Sequence, residues 1–112
     1  ERLKGYQQAL LEAGIEADPD LVFPGDYLPK TGRDATEWFL ALETGPTAIF
    51  AFNDLMAIGV LQVLSEQGVH VPEGIAVVGF DDIPLSQFTS PALTTIRQPL
   101  EDMGNIAVEL LL

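Results

Sequence analysis

Two polar pairs stand directly behind apolar runs: Asn53-Asp54 after TAIFAF (47–52) and Asp81-Asp82 after IAVVGF (75–80). In an open parallel sheet the carboxyl ends of the strands line the crevice that receives small ligands. Both pairs therefore occupy positions where a ligand would be met. An amide offers a donor and an acceptor and a carboxylate offers two acceptor oxygens, a set suited to hydroxyl groups. Asn and Asp are also strong helix caps. One cap suffices for one helix, so one member of the 53–54 pair is expected to cap while the other projects into the crevice. For Asp81 the alternative is a turn aspartate bonded to its own backbone. Paired carboxylates raise a glycosidase-like acid and base, but neighbours in sequence point apart and no catalysis is expected from them. Tyr27 sits in PGDYLPKTG (24–32), an irregular loop rich in proline and glycine. Its ring is available either to stack on a sugar-like ligand or to pack under its own loop.

Other chemistries lack their parts. His70 stands alone, with no second metal-ligand residue at a useful spacing, and the chain has no cysteine. Ser86, Ser90 and Thr95 have no general base nearby, and no phosphate-binding or nucleophile-elbow pattern occurs. The expectation is a binding protein with no catalytic residue, no metal and no cofactor. Seventeen acidic residues against five basic ones give a formal charge of −12. That charge repels phosphate backbones, so this segment is not expected to contact nucleic acid. No apolar run reaches the roughly 18 residues of a membrane span, and nothing resembles a signal peptide. A cytoplasmic location is the plainest expectation. A hydrophobic share of 47% places the chain with globular domains rather than disordered ones.

The elements that must position these residues follow from periodicity. Leu3, Tyr6, Leu10 and Ala13 mark an amphipathic helix over 1–13, with Gly14 at its left-handed end. Leu21 to Phe23 reads as a short strand. A helix over 33–43 carries Ala35, Trp38, Phe39 and Leu42 on one face, and Thr31 is placed to cap it. Residues 47–52 and 75–80 are continuous apolar strands, the pattern of a parallel sheet covered on both faces. Residues 81–99 form a winding connection with one extended piece near Leu93 to Ile96, and a last helix begins around Leu100. This order argues for an α/β sandwich with right-handed crossovers. Helix 55–67 is apolar almost all round. Beyond the sheet it needs a second cover, expected from a partner subunit, with a neighbouring helix of the same chain as the alternative. Helices at both ends suggest a piece of a larger protein.

The succession ERLKGY, PGDYLPKTG, PTAIFAFNDLMAIGVLQVLSEQGVHVPEGIAVVGFDD and SPALTTIRQPLEDMG resembles the effector-binding domain of the lactose and galactose repressor family of bacterial transcription regulators. The resemblance covers essentially the whole chain. FNDLMAIG, VVGFDD and PALTTIRQP together make it specific. It implies a three-layer α/β sandwich with a parallel sheet, similar to type I periplasmic binding proteins, with the effector held between two lobes. Residues 1–98 would form most of the C-terminal lobe with its crossover, and residues 99–112 a helix returning to an N-terminal lobe. By the family pattern Arg2, Tyr27, Asn53 and Asp81 contact the effector, Gln98 is a weaker carry-over, and Asp54 is structural, as a helix cap near the hinge. The implied partners are a small effector, a sugar in preference to a purine or nucleoside, and a second copy bound through helix 55–67. Operator DNA would be bound only through an N-terminal domain absent here. A periplasmic sugar-binding protein of a transport system is the alternative.

Overall fold

The computed structural model describes residues 1–112. Four helices, α1 (Arg2–Glu12), α2 (Pro29–Ala41), α3 (Asp54–Glu66) and α4 (Leu100–Leu111), accompany three strands, β1 (Ala48–Phe50), β2 (Ala76–Asp81) and β3 (Thr94–Arg97). The strands form one parallel sheet in the order β1-β2-β3, with Ile49 beside Val77 and Phe80 beside Ile96. Parallel pairing puts all three carboxyl ends on one rim, and the expected α/β class is what the chain adopts. The core lies where α3 meets the sheet and α2: Phe39, Ile49, Ala57, Val60, Leu64 and Val77 are all buried there.

Local sequence explains where the helices stop. Gly14 and Gly68 both adopt φ of 70°, the left-handed conformation that glycine enters without a side-chain penalty. After α3, Gly68 N–H donates to Ser65 and Val69 N–H to Leu64, closing the last turn. Gly14 and Ile15 repeat the arrangement on Leu11 and Leu10.

Two further glycines set how closely α2 and α3 cross. A β-carbon on Gly32 would meet the Met56 carbonyl oxygen, and one on Gly59 the Pro29 carbonyl oxygen. Backbone therefore packs on backbone. At the far end of the crossing the Arg33 guanidinium pairs with both Glu66 carboxylate oxygens at 3.0 and 2.9 Å. The Arg33 hydrogen bonds hold the Glu66 carboxyl below its ordinary range. Both groups are solvent-facing, so glycine packing rather than this ion pair holds the helices together.

Several expectations need correction. Leu21 to Phe23 is not a strand: Pro19–Leu21 forms a 3-10 turn capped by the Asp18 side chain on Asp20 N–H, and Val22 is extended without a ladder partner. The second helix starts four residues earlier than expected. Pro29 occupies its first turn with Leu28 held extended before it, and Thr31 lies inside the helix rather than capping it. β1 is covered on one side only: Ile49 is buried while Ala48 and Phe50 are exposed. The all-round apolar α3 finds its second cover within the chain, against α2, and Leu61 is part of the core. Neither α1 nor α4 buries a residue.

The glycine crossing yields a test in which two effects oppose. Alanine at position 59 gains roughly 1 kcal/mol of helix propensity, but overpacking a close backbone contact costs about 1–3 kcal/mol. Gly59→Ala is expected to lower the urea midpoint measured by circular dichroism. A raised midpoint would mean that the helices do not cross as closely as described.

Candidate functional site

The sheet delivers Asn53, Asp81 and Gln98 to its carboxyl rim, just beyond β1, within the end of β2 and just beyond β3. Arg2 opens α1 and Tyr27 precedes α2 on the loop from 24 to 28. These five side chains form two groups.

In the first, Arg2, Asp81 and Gln98 meet. Arg2 Nη2 donates to Asp81 Oδ1 at 3.3 Å, and Gln98 Nε2 donates to the same oxygen. The Arg2 guanidinium also lies over the Phe80 ring, 4.1 Å from its centroid. Each partner of the ion pair keeps 30% of its side chain in solvent. Such pairs contribute only about 0–1 kcal/mol to stability. The cluster therefore does little to hold the fold and remains reachable from outside. Three donors and acceptors of fixed direction stand together, the layout that recognises adjacent hydroxyls.

In the second, Asn53 holds Tyr27. Asn53 Oδ1 accepts from Met56 N–H at 2.9 Å, making Asn53 the cap of α3, while its Nδ2 donates to the Tyr27 carbonyl at 2.9 Å. Asn53 is buried and Tyr27 is 58% exposed. The expectation that Asp54 caps this helix is thus corrected: Asn53 takes the cap. Asp54 is turned inward, fully buried, accepting from Ile83 N–H at 2.8 Å and from the Thr95 hydroxyl at 2.5 Å.

Tyr27, Asp81 and Asp82 have φ of 69°, 122° and 58°, a conformation that costs energy for residues with a side chain. All three lie on the candidate rim. Asp26, absent from the expected site, explains the first. Its Oδ1 accepts from Leu28 N–H at 3.0 Å and from the Thr31 hydroxyl at 2.9 Å, folding the loop around Tyr27. The Leu28 N–H, and next the Thr31 hydroxyl, hold the Asp26 carboxyl below its ordinary 3.8. An aspartate two residues before an unpaired N–H is a legible turn signal.

Away from the polar rim lies an apolar hollow. A slot of about 200 Å³ runs along the free edge of β1, lined by Leu3, Tyr6, Phe23, Ile49, Phe50 and further apolar residues. It reaches Tyr27 but none of Arg2, Asn53, Asp81 and Gln98. Its walls are mostly apolar, with Tyr6, Tyr27 and Thr31 the hydroxyl-bearing exceptions. No three His, Cys, Asp or Glu side chains gather closely enough to hold a metal ion. No helix is long and apolar enough to cross a membrane.

A parallel α/β lobe presenting polar side chains at its strand ends is the ligand-facing unit of a periplasmic binding protein-like domain, and the family of that description matches residues 1–112. The chain belongs to that family, and it is similar to LacI-family transcription regulators. The HTH-type transcriptional repressor PurR of Aliivibrio salmonicida (strain LFI1238) is 43% identical over 112 residues, which are 100% of this chain and 34% of that protein. A crystal structure of a regulatory protein of the LacI family from Chloroflexus aggregans matches with a TM-score of 0.94 and 37% identity, over 98% of this chain and 40% of that one. The complex of transcriptional regulator CelR with cellobiose matches with a TM-score of 0.93 and 42% identity, over 99% and 34%. The chain spans about a third of the curated relatives it matches.

The double duty of Asn53 is testable. Asn53→Asp preserves a capping oxygen but sets a carboxylate against the Tyr27 carbonyl, and leaving that group unpaired costs about 1–3 kcal/mol. Denaturant unfolding is expected to show that loss, together with faster amide exchange across 25–28. Unchanged exchange would show that Asn53 acts as a cap alone. Acid supplies a second handle. Because the folded Asp26 value is depressed, its turn contributes fully above pH 3.8 and is lost as pH falls through the folded value. Exchange across 25–28 should therefore accelerate only below that pH.

Proposed function

We propose that this chain is most of the C-terminal lobe of the ligand-sensing domain of a bacterial transcription regulator. A small polyhydroxyl effector, a sugar in preference to a purine or nucleoside, is held between this lobe and a second one. The observation carrying the reading is the meeting of Arg2, Asp81 and Gln98 on one carboxyl rim, with Tyr27 positioned by Asn53 on the same rim. Arg2 and Gln98 donate, Asp81 accepts, Asn53 belongs to the same ligand face, and the exposed Tyr27 ring offers a stacking surface. None of these roles moves a proton, so the domain binds without catalysing.

Residues 1–98 form the lobe with its crossover, and α4 leaves it for the other lobe. Met103, Ile106 and Leu110 recur along α4 and all are exposed in this chain, which fits a helix whose apolar face serves a second body. Operator DNA is contacted through an N-terminal domain outside this segment, in keeping with the charge of −12. Effector binding biases the angle between the lobes, and its effect on operator affinity is reciprocal by linkage. The protein works in the cytoplasm as a homodimer. With Leu61 in the core, the contact uses the outer side of α3 near Ile58 and Gln62 together with Leu85 and Phe88, which are 51% and 80% exposed. The repressors among its relatives weigh against the transport-protein alternative.

A thermal-shift screen of the full-length protein against cellobiose, other sugars and nucleosides tests the reading, since a bound effector raises the melting temperature by mass action. Asp81→Ala is expected to remove the shift of any hit while leaving the ligand-free melting temperature within about 3 °C, as an ion pair that keeps solvent contact contributes so little. A shift retained in full would remove Asp81 from the site. Phe88→Glu is expected to weaken self-association in sedimentation velocity. An unchanged oligomer would remove that surface from the dimer.

A further inference from the structure

We infer that Asp54 and Thr95 act as a pair of positioning residues that aim the Asp81 carboxylate at the effector. The Asp54 carboxylate is completely buried and no cation pairs with it. It lies in the first turn of α3, where the exposed amides of a helix start favour negative charge. One of its oxygens accepts from the Thr95 hydroxyl of β3 and the other from Ile83 N–H, beyond the end of β2. Thr95 in turn accepts from Asp82 N–H at 3.3 Å. The hydroxyl thus relays Asp54 to the backbone immediately behind Asp81.

The consequence falls on the strained turn. Asp81 and Asp82 both hold positive φ, and the amides of Asp82 and Ile83 are fixed by this pair from beneath. From the other side Arg97 Nε donates to Asp82 Oδ2 at 2.6 Å, and the buried Ser86 hydroxyl lies 3.4 Å from Asp82 Oδ1. With Asp82 tied down, the Asp81 carboxylate is left facing Arg2 and Gln98. Gly79 completes the device: a β-carbon there would collide with Asp54 Oδ1, so β2 makes room for the carboxylate by omitting a side chain. The carboxylate thus reaches both β3 and the turn that follows β2, the two elements that flank Asp81.

The inference rests on the reading that Asp81 meets the effector, and the test separates the two. Asp54→Asn would turn an amide donor toward Ile83 N–H or Thr95 and unfold the rim, so the test uses Thr95 in the full-length protein. Thr95→Val keeps the shape and removes the hydroxyl; Thr95→Ser restores the hydroxyl and removes the methyl. In the ligand-free protein, the NMR signal of the Gln98 side-chain amide reports whether Asp81 still stands beside it. It is expected to move toward the position of a solvated amide in Thr95→Val and to return in Thr95→Ser. Affinities for cellobiose and for cytidine, as probes, are expected to fall roughly tenfold or more in Thr95→Val for whichever the wild type binds, and to recover within about threefold in Thr95→Ser. A wild-type Gln98 signal in Thr95→Val, or a failure of Thr95→Ser to restore it, overturns the positioning role. If the Gln98 signal moves as expected but Asp81→Ala leaves probe affinity intact, the positioning stands and the effector-contact reading fails.

Discussion

A carboxylate with no cation beside it joins three elements of this chain. Asp54 is fully buried and accepts only from uncharged donors, an arrangement that is costly unless every hydrogen bond is made. Its two oxygens tie the first turn of α3 to β3 and to the turn after β2, and hydrogen bonds to a charged acceptor are worth about 1.5–3 kcal/mol each. Losing one would leave a buried acceptor unsatisfied. The register of β3 against β2 and the shape of the 81–83 turn are therefore coupled to where α3 begins.

The neighbouring residue serves the other half of the rim from the same backbone position. Asn53 caps α3 and grips the Tyr27 carbonyl, so a single helix start carries both polar groups of the candidate site. An aspartate at 53 would cap as well, but only an amide accepts from Met56 and donates to Tyr27 at once. The helix start is itself fixed by the glycine crossing of α2 and α3, which sets α3 against Pro29 just after the Tyr27 loop. Strain at Tyr27, Asp81 and Asp82 is sustained because these contacts over-determine the backbone there.

Much of this was legible in the residues, for reasons that differ by position. The α/β order and the carboxyl-edge placement of Asn53 and Asp81 follow from apolar runs ending in polar pairs, a signal carried by hydrophobic periodicity alone. Gly14 announced its left-handed cap because few other residues enter that conformation. The strand expected at Leu21 to Phe23 failed because three apolar residues say nothing about a ladder partner, while the Asp18-Pro19 turn signal beside them was local and strong. The start of α2 was misplaced because Thr31 has two uses, and the nearby Asp26 claims its hydroxyl. The cap falls to Asn53 rather than Asp54 although both residue types cap well; the choice between them is made by Thr95 and Ile83, which hold Asp54 inward from 29 or more positions away in sequence. Apolar character all round α3 was read correctly as a demand for two covers, but periodicity cannot tell a neighbouring helix from a partner subunit.

The division of labour along the rim has a mechanical implication. Groups that meet solvent, Arg2 with Asp81 and Gln98, are held to one another by weak, exchangeable contacts, whereas Asp54 behind them is fully buried and tied to the partly buried Thr95. A hydroxyl from solvent or a ligand can replace the Arg2 or Gln98 contact at little net cost, since a pair that keeps solvent contact is worth about 0–1 kcal/mol. Moving Asp81 itself would require breaking the buried relay. The rim is thus built to exchange contacts at its surface while the backbone behind it keeps its shape.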